Sequence, residues 1–146
     1  MTHKVLITAG GKQARWKGEG NKCLLPVPGL DGQETPLLCR TISQLRQQDV
    51  NDILIIGDRQ LVDDETPIVP PKQRFDTRET DKLLSAVDHW PAKGRLVILF
   101  GDTFFTERAM GKILAENSNK CTWFGRRGPG KTGKAYGEIF AVTFPA

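Results

Sequence analysis

The chain has 146 residues, a formal charge of +4, 38% hydrophobic and 26% charged residues, the balance of a folded domain rather than a disordered segment. No apolar run approaches the roughly 18 residues that span a bilayer, and Met1-Thr2-His3-Lys4 leads into too few apolar residues for a signal peptide, so the expected location is cytoplasmic. Three dispersed cysteines and two isolated histidines argue against a disulfide framework, a zinc site and histidine-centred catalysis.

Lys4 to Thr8 reads as a buried strand, followed by the glycine loop Gly10-Gly11. Thr35-Pro36 is expected to open a helix, with Thr as cap and Pro at the first helical position, and Leu38, Ile42 and Leu45 recur on one face. Ile53-Leu54-Ile55-Ile56, ended by Gly57-Asp58, is a second buried strand. The polar, proline-rich text from Asp58 to Phe75 is loop, with a short strand at Ile68-Val69. Asp76 and Glu79 form a capping-box pattern, opening a helix expected to turn Leu83, Leu84 and Val87 inward. Gly94 resets the chain before the most apolar strand, Leu96 to Phe100. Thr106 caps a third helix with Met110, Ile113 and Leu114 buried. Thr122-Trp123-Phe124 is a short strand, Gly125 to Gly137 a loop, and Glu138 to Phe144 a last strand. No repeat or linker divides the sequence, so residues 1–146 are taken as one domain.

Strands alternating with helices imply an α/β fold of three layers, a mostly parallel sheet with helices on both faces. Ligands of such sheets sit beyond the carboxyl ends of the strands. Both Gly10-Gly11 and Gly101-Asp102 follow strands and are therefore expected at one edge. Gly10-Gly11 would expose amides to phosphate oxygens, with the Arg15 guanidinium gripping two of them. An ordinary strand-to-helix turn with an exposed arginine explains the same letters. Lys22, just before the apolar, proline-bent Leu24-Leu25-Pro26-Val27, could neutralise charge as phosphoryl transfer proceeds; without the upstream glycines it would read as a surface lysine beside a packed loop. Asp102 would project a hard oxygen from a strand end, as Mg²⁺ requires, or simply form a turn. Gly125 to Thr132 satisfies the pattern G-x-x-x-x-G-K-[ST], but a strand rather than a helix follows Lys131-Thr132, so the match is read as chance.

Leu6-Ile7-Thr8-Ala9-Gly10-Gly11, Arg15, Lys22-x-Leu24-x-Pro26-Val27 and Gly29 resemble the N-terminal signature of the sugar-1-phosphate nucleotidylyltransferases. These belong to the nucleotide-diphospho-sugar transferase superfamily. The family pattern is Leu-Ala-Gly-Gly-x-Gly-x-Arg, a spacer, then Pro-Lys-x-Leu-x-Pro-Val; Gln13 replaces its third loop glycine and Asn21 its proline. The resemblance implies a Rossmann-like fold of GT-A type. It implies transfer of a nucleoside monophosphate from an NTP to a sugar 1-phosphate or similar phosphorylated acceptor, with release of pyrophosphate. Ala9, Gly10 and Gly11 would line the nucleotide, Arg15 would bind the β- and γ-phosphates, Lys22 the α-phosphate, and Asp102 would hold Mg²⁺. Thr80, with Ser85, and Glu138 are the candidates on the acceptor side. Family members are generally longer, with an acceptor-binding part beyond the nucleotide-binding half. A minimal enzyme, a fragment and a relic all remain open, as does a non-catalytic nucleotide-binding or assembly module. Expected partners are an NTP and a phosphorylated small molecule, not a membrane or nucleic acid; self-association through leftover apolar surface is a further option.

Overall fold

Alternation along the first strand, β1 (His3–Thr8), sets the architecture. Val5 and Ile7 pack on one side with Leu38, Ile42, Leu45, Met110 and Ile113, while Leu6 packs on the other with Leu54, Ile56, Ala86, Leu96 and Ile98. A strand with apolar side chains on both faces must lie inside a layered structure. The computed structural model describes residues 2–9, 20–57, 65–71, 84–127 and 137–145.

The remaining elements are β2 (Pro26–Pro28), β3 (Glu34–Pro36), α1 (Leu37–Gln47), β4 (Asp52–Ile56), β5 (Ile68–Val69), β6 (Arg95–Phe100), α2 (Glu107–Leu114), β7 (Thr122–Arg126) and β8 (Glu138–Phe144). Six strands form one sheet in the order β5-β4-β1-β6-β8-β7, and β2 and β3 form a separate hairpin. β1 pairs in parallel with β4 and β6, and β4 with β5. β8 is antiparallel to both β6 and β7. The result is the α/β fold expected, a mixed sheet whose central part is parallel. Helices α1 and α2 cover one face. On the other, the helical residues 84–86 and the 3₁₀ turn Val87–His89 bring Ala86 into the core, and the Trp90 ring lies 4.6 Å from Phe144.

All six residues of β6 are buried, and each large apolar side chain there contributes about 1.5–3 kcal/mol. Thr106 caps α2 as its sequence indicates, its hydroxyl accepting from the Ala109 N–H at 3.1 Å. Two local expectations are corrected. Thr35 and Pro36 belong to β3, and α1 starts at Leu37 with no side-chain cap. Its first amide instead donates to the Leu25 carbonyl at 2.9 Å, because the hairpin returns the chain to that oxygen. Leu84 and Val87 face solvent, at 52% and 56% exposure, while Ser85 and Ala86 are the buried residues of that turn. The Asp76–Glu79 capping box and Leu83 lie outside the described residues. Among the described residues no helix is long and apolar enough to cross a membrane.

From β1 the chain crosses to β4 on one side, whereas β6 lies on the other. The strand order therefore switches direction at β1, and the crevice beyond the carboxyl ends of β1 and β6 is where such a sheet receives a ligand.

Candidate functional site

Both strand exits at this crevice are held by main-chain hydrogen bonds. Ala9, 3% exposed, donates its N–H to the Ile56 carbonyl at 2.8 Å. Gly101 donates to the Thr8 carbonyl at 2.9 Å. Thr103 then donates to the Phe100 carbonyl at 3.2 Å, closing a turn with Gly101 and Asp102 at its centre. The turn leaves Asp102 exposed at the sheet edge.

Gly101 is where three segments meet. A Cβ there would stand 2.8 Å from the Thr8 carbonyl oxygen, 3.2 Å from Cys23 Sγ and 3.3 Å from Ile7 Cγ2. Absence of a side chain is thus what lets the 3₁₀ turn Lys22–Leu24 close onto the ends of β1 and β6. Cys23 is its buried anchor, at 4% exposure. Lys22 and Asp102 each adjoin a residue of this contact, so the fold brings together two stretches of main chain far apart in sequence, one bearing a lysine and the other an aspartate. Asn21 helps to hold the arrangement. Its Oδ1 accepts from the Cys23 N–H at 2.9 Å, capping the turn, and its Nδ2 reaches the Ala9 carbonyl at 3.5 Å.

Because β8 runs antiparallel to β6, its first residue, Glu138, lies at this same edge. Glu138 forms an ion pair with Arg126 across the β7–β8 ladder, at 3.3 Å. Ser85 is buried on the other face of the sheet. Gly10, Gly11, Gln13, Arg15 and Thr80 lie outside the described residues, as do Lys131 and Thr132. Gly125 and Arg126, read from sequence as loop, belong to β7.

Among the described residues no three His, Cys, Asp or Glu side chains gather as a metal cage. Asp102 offers one exposed carboxylate beside a strand end. That donor set fits Mg²⁺, which commonly takes one or two carboxylates and draws its other ligands from substrate phosphates and water.

Arg40 and Gln44 of α1, unremarked in the sequence, are both buried and both donate to the Phe105 carbonyl, just beyond the Asp102 turn. Their only sequence signal is polarity on the inward face of an amphipathic helix.

The family model described as the MobA-like NTP transferase domain matches residues 5–132. A Bacillus anthracis protein described as a glucose-1-phosphate thymidylyltransferase, crystallised with sucrose, is similar in structure with a TM-score of 0.62 and 18% identity, over 99% of this chain and 72% of that one. HddC from Yersinia pseudotuberculosis, complexed with GMP-PN, gives 0.60 and 14%, over 99% and 77%. Rv0371c from Mycobacterium tuberculosis gives 0.56 and 18%, over 77% and 59%. At these identities the likeness is one of fold. No curated protein matches the sequence.

Proposed function

The chain belongs to the MobA-like NTP transferase domain family, and from that premise we propose that it transfers a nucleoside monophosphate from an NTP to a sugar 1-phosphate, releasing pyrophosphate. One observation carries the reading: the end of β1 at Ile7 and Thr8, the Lys22 turn and the Asp102 turn meet around Gly101 at the switch point of the sheet. The protein described as a thymidylyltransferase supports a sugar 1-phosphate as acceptor, and the GMP-PN complex of HddC supports a nucleotide as a ligand of this fold.

In this reading a phosphate oxygen of the acceptor attacks the α-phosphorus, and pyrophosphate leaves in line. The protein's task is positioning and charge stabilisation rather than covalent catalysis. Ala9, Gly10 and Gly11 line the nucleotide through their main chain. Arg15 grips the β- and γ-phosphates with its planar fork, suited to two oxygens at once. Lys22 supplies positive charge to the α-phosphate as its oxygens gain charge in the transition state. Asp102, with phosphate oxygens, would hold Mg²⁺, which neutralises charge on the triphosphate. Glu138 and Thr80 are assigned to the acceptor side, Glu138 on the strength of its place at the same edge.

Pyrophosphate release, measured with each NTP against a panel of sugar 1-phosphates and Mg²⁺, tests the proposal. Turnover that falls at least about 100-fold in Lys22→Ala and in Asp102→Ala is the expected result, the scale of losing one charge-stabilising group. Turnover indifferent to both substitutions, or saturable nucleotide binding without pyrophosphate on any acceptor, refutes it.

A further inference from the structure

We propose that Arg40 is a positioning residue that locks the turn bearing Asp102 to the hairpin that follows Lys22. Arg40 lies within α1 and is only 7% exposed. Its Nε donates to the Pro28 carbonyl at the end of β2, at 3.1 Å. Its Nη1 donates to the Phe105 carbonyl at 2.7 Å and to Gln44 Oε1 at 3.2 Å. The Gln44 amide donates to the same Phe105 oxygen at 3.1 Å. The guanidinium carbon lies 4.0 Å from the centroid of the half-exposed Phe104 ring. One side chain thus holds two loops that are not covalently neighbours, and both lead directly to proposed site residues.

The charge itself has no evident structural purpose. A buried guanidinium loses hydration worth several kcal/mol, and the contacts just described comprise two carbonyls, one amide oxygen and a ring, with no carboxylate among them. An apolar side chain of similar volume would fill the space without that loss. What it would not do is fix Pro28 and Phe105 relative to each other. A lysine, with a compact ammonium in place of a planar fork, would not reproduce both bonds and the stacking either. The Asp102 turn is held at its start by Gly101 bonding to Thr8, and the Phe105 carbonyl is its other anchor. Arg40 and Gln44, one helical turn apart, set that anchor from a rigid element. Removing them loosens the turn that carries Asp102 without unfolding the sheet.

This inference rests on the assignment of Asp102 to the metal, but its physical core is testable apart from catalysis. Amide hydrogen exchange, read by mass spectrometry on the whole chain without ligand, is to be compared for the wild type, Arg40→Lys, Arg40→Met and the milder Gln44→Met. The expected result is exchange about 10- to 100-fold faster over residues 101–106 and 26–34, the scale of losing a charged hydrogen bond. Exchange in β1 and β4 should stay unchanged. Uniform acceleration through the sheet, or none in the two loops, overturns the proposal. In the pyrophosphate assay Arg40→Lys should raise the Mg²⁺ concentration for half-maximal rate about tenfold, with a smaller loss at saturating Mg²⁺. An equal fall in rate at every Mg²⁺ concentration overturns the link to Asp102. A wild-type chain that releases no pyrophosphate sinks the reading of the site instead, while the exchange comparison still decides the lock.

Discussion

Replacing Gly101 by alanine puts the packing of the site under the most direct stress. The added Cβ would fall 2.8 Å from the Thr8 carbonyl oxygen, 3.2 Å from Cys23 Sγ and 3.3 Å from Ile7 Cγ2. The first distance is shorter than real Cβ atoms tolerate, and its partner is backbone fixed within the central strand. The sulfur sits on the short turn carrying Lys22 and has more freedom to give way. Overpacking of this kind costs about 1–3 kcal/mol, which for a chain of this length lowers the melting temperature by roughly 3–12 °C. Thermal melts and urea titrations of wild type, Gly101→Ala, Cys23→Ala and the double variant resolve the sources. The double variant should be less destabilised than the two losses added, by at least about 0.5 kcal/mol, because one of the two closest clashes has been removed. Loss of nucleotide affinity in Gly101→Ala should exceed what the fraction unfolded explains, since the Lys22 turn is displaced. A melting temperature within about 1 °C of wild type, or strict additivity, would refute the close contact and the argument built on it.

Asn21→Ala removes the Oδ1 cap from the Cys23 amide at 2.9 Å and should cost about 1 kcal/mol in urea unfolding while weakening nucleotide binding. Thr106→Ala removes the hydroxyl accepting from Ala109, with a loss of about 0.5–2 kcal/mol in urea unfolding and no change in nucleotide affinity. Hydrogen bonding from Ser118, main chain first and side chain second, then the nearby Arg95 charge, hold the Glu116 carboxyl below its usual range. The stability it adds is complete above the ordinary carboxylate pKa and is lost as pH falls through the lowered value. In melts taken across acidic pH, Glu116→Ala should therefore flatten that part of the acid limb and leave it unchanged if the bond to Ser118 is unimportant.

The parallel core was legible from length as well as polarity. Val5 to Ile7, Ile53 to Ile56 and Leu96 to Phe100 are apolar on both faces, as strands inside a parallel sheet are, and each run is too short for a buried helix. The apolar spacing of Leu38, Ile42 and Leu45 and the Thr106 cap were equally direct. The hairpin was not, because Pro26, Pro28 and Pro36 each remove a ladder donor and speak against strands. It forms nonetheless as a short pair apart from the main sheet, where few such donors are needed. The direction of β8 was hidden too, since alternation does not distinguish parallel from antiparallel pairing. At the candidate site, the edge where Ala9 and Asp102 emerge followed from the topology. The contact of Cys23 with Gly101 did not, because it depends on the path of the whole loop. Arg40 was invisible for a different reason: arginine is ordinarily a surface residue, and its burial depends on two carbonyls, the Gln44 amide oxygen and the Phe104 ring, which only the fold brings to it. The same surprise recurs at Arg95, 3% exposed, where Nη1 donates to the Ser118 carbonyl at 2.9 Å.

The central claim is that a nucleoside triphosphate binds where β1 and β6 end, and backbone amide NMR measures it most directly. Titration with an NTP in the presence of Mg²⁺ should move the signals of Ala9, Lys22 to Leu24 and Gly101 to Thr103 most, saturably, with Asp102→Ala weakening the Mg²⁺-dependent part. Shifts concentrated instead at the opposite end of the sheet, in the cleft lined by Thr2, Asn51, Gly111 and Ala115, or no saturable shift at all, would contradict it.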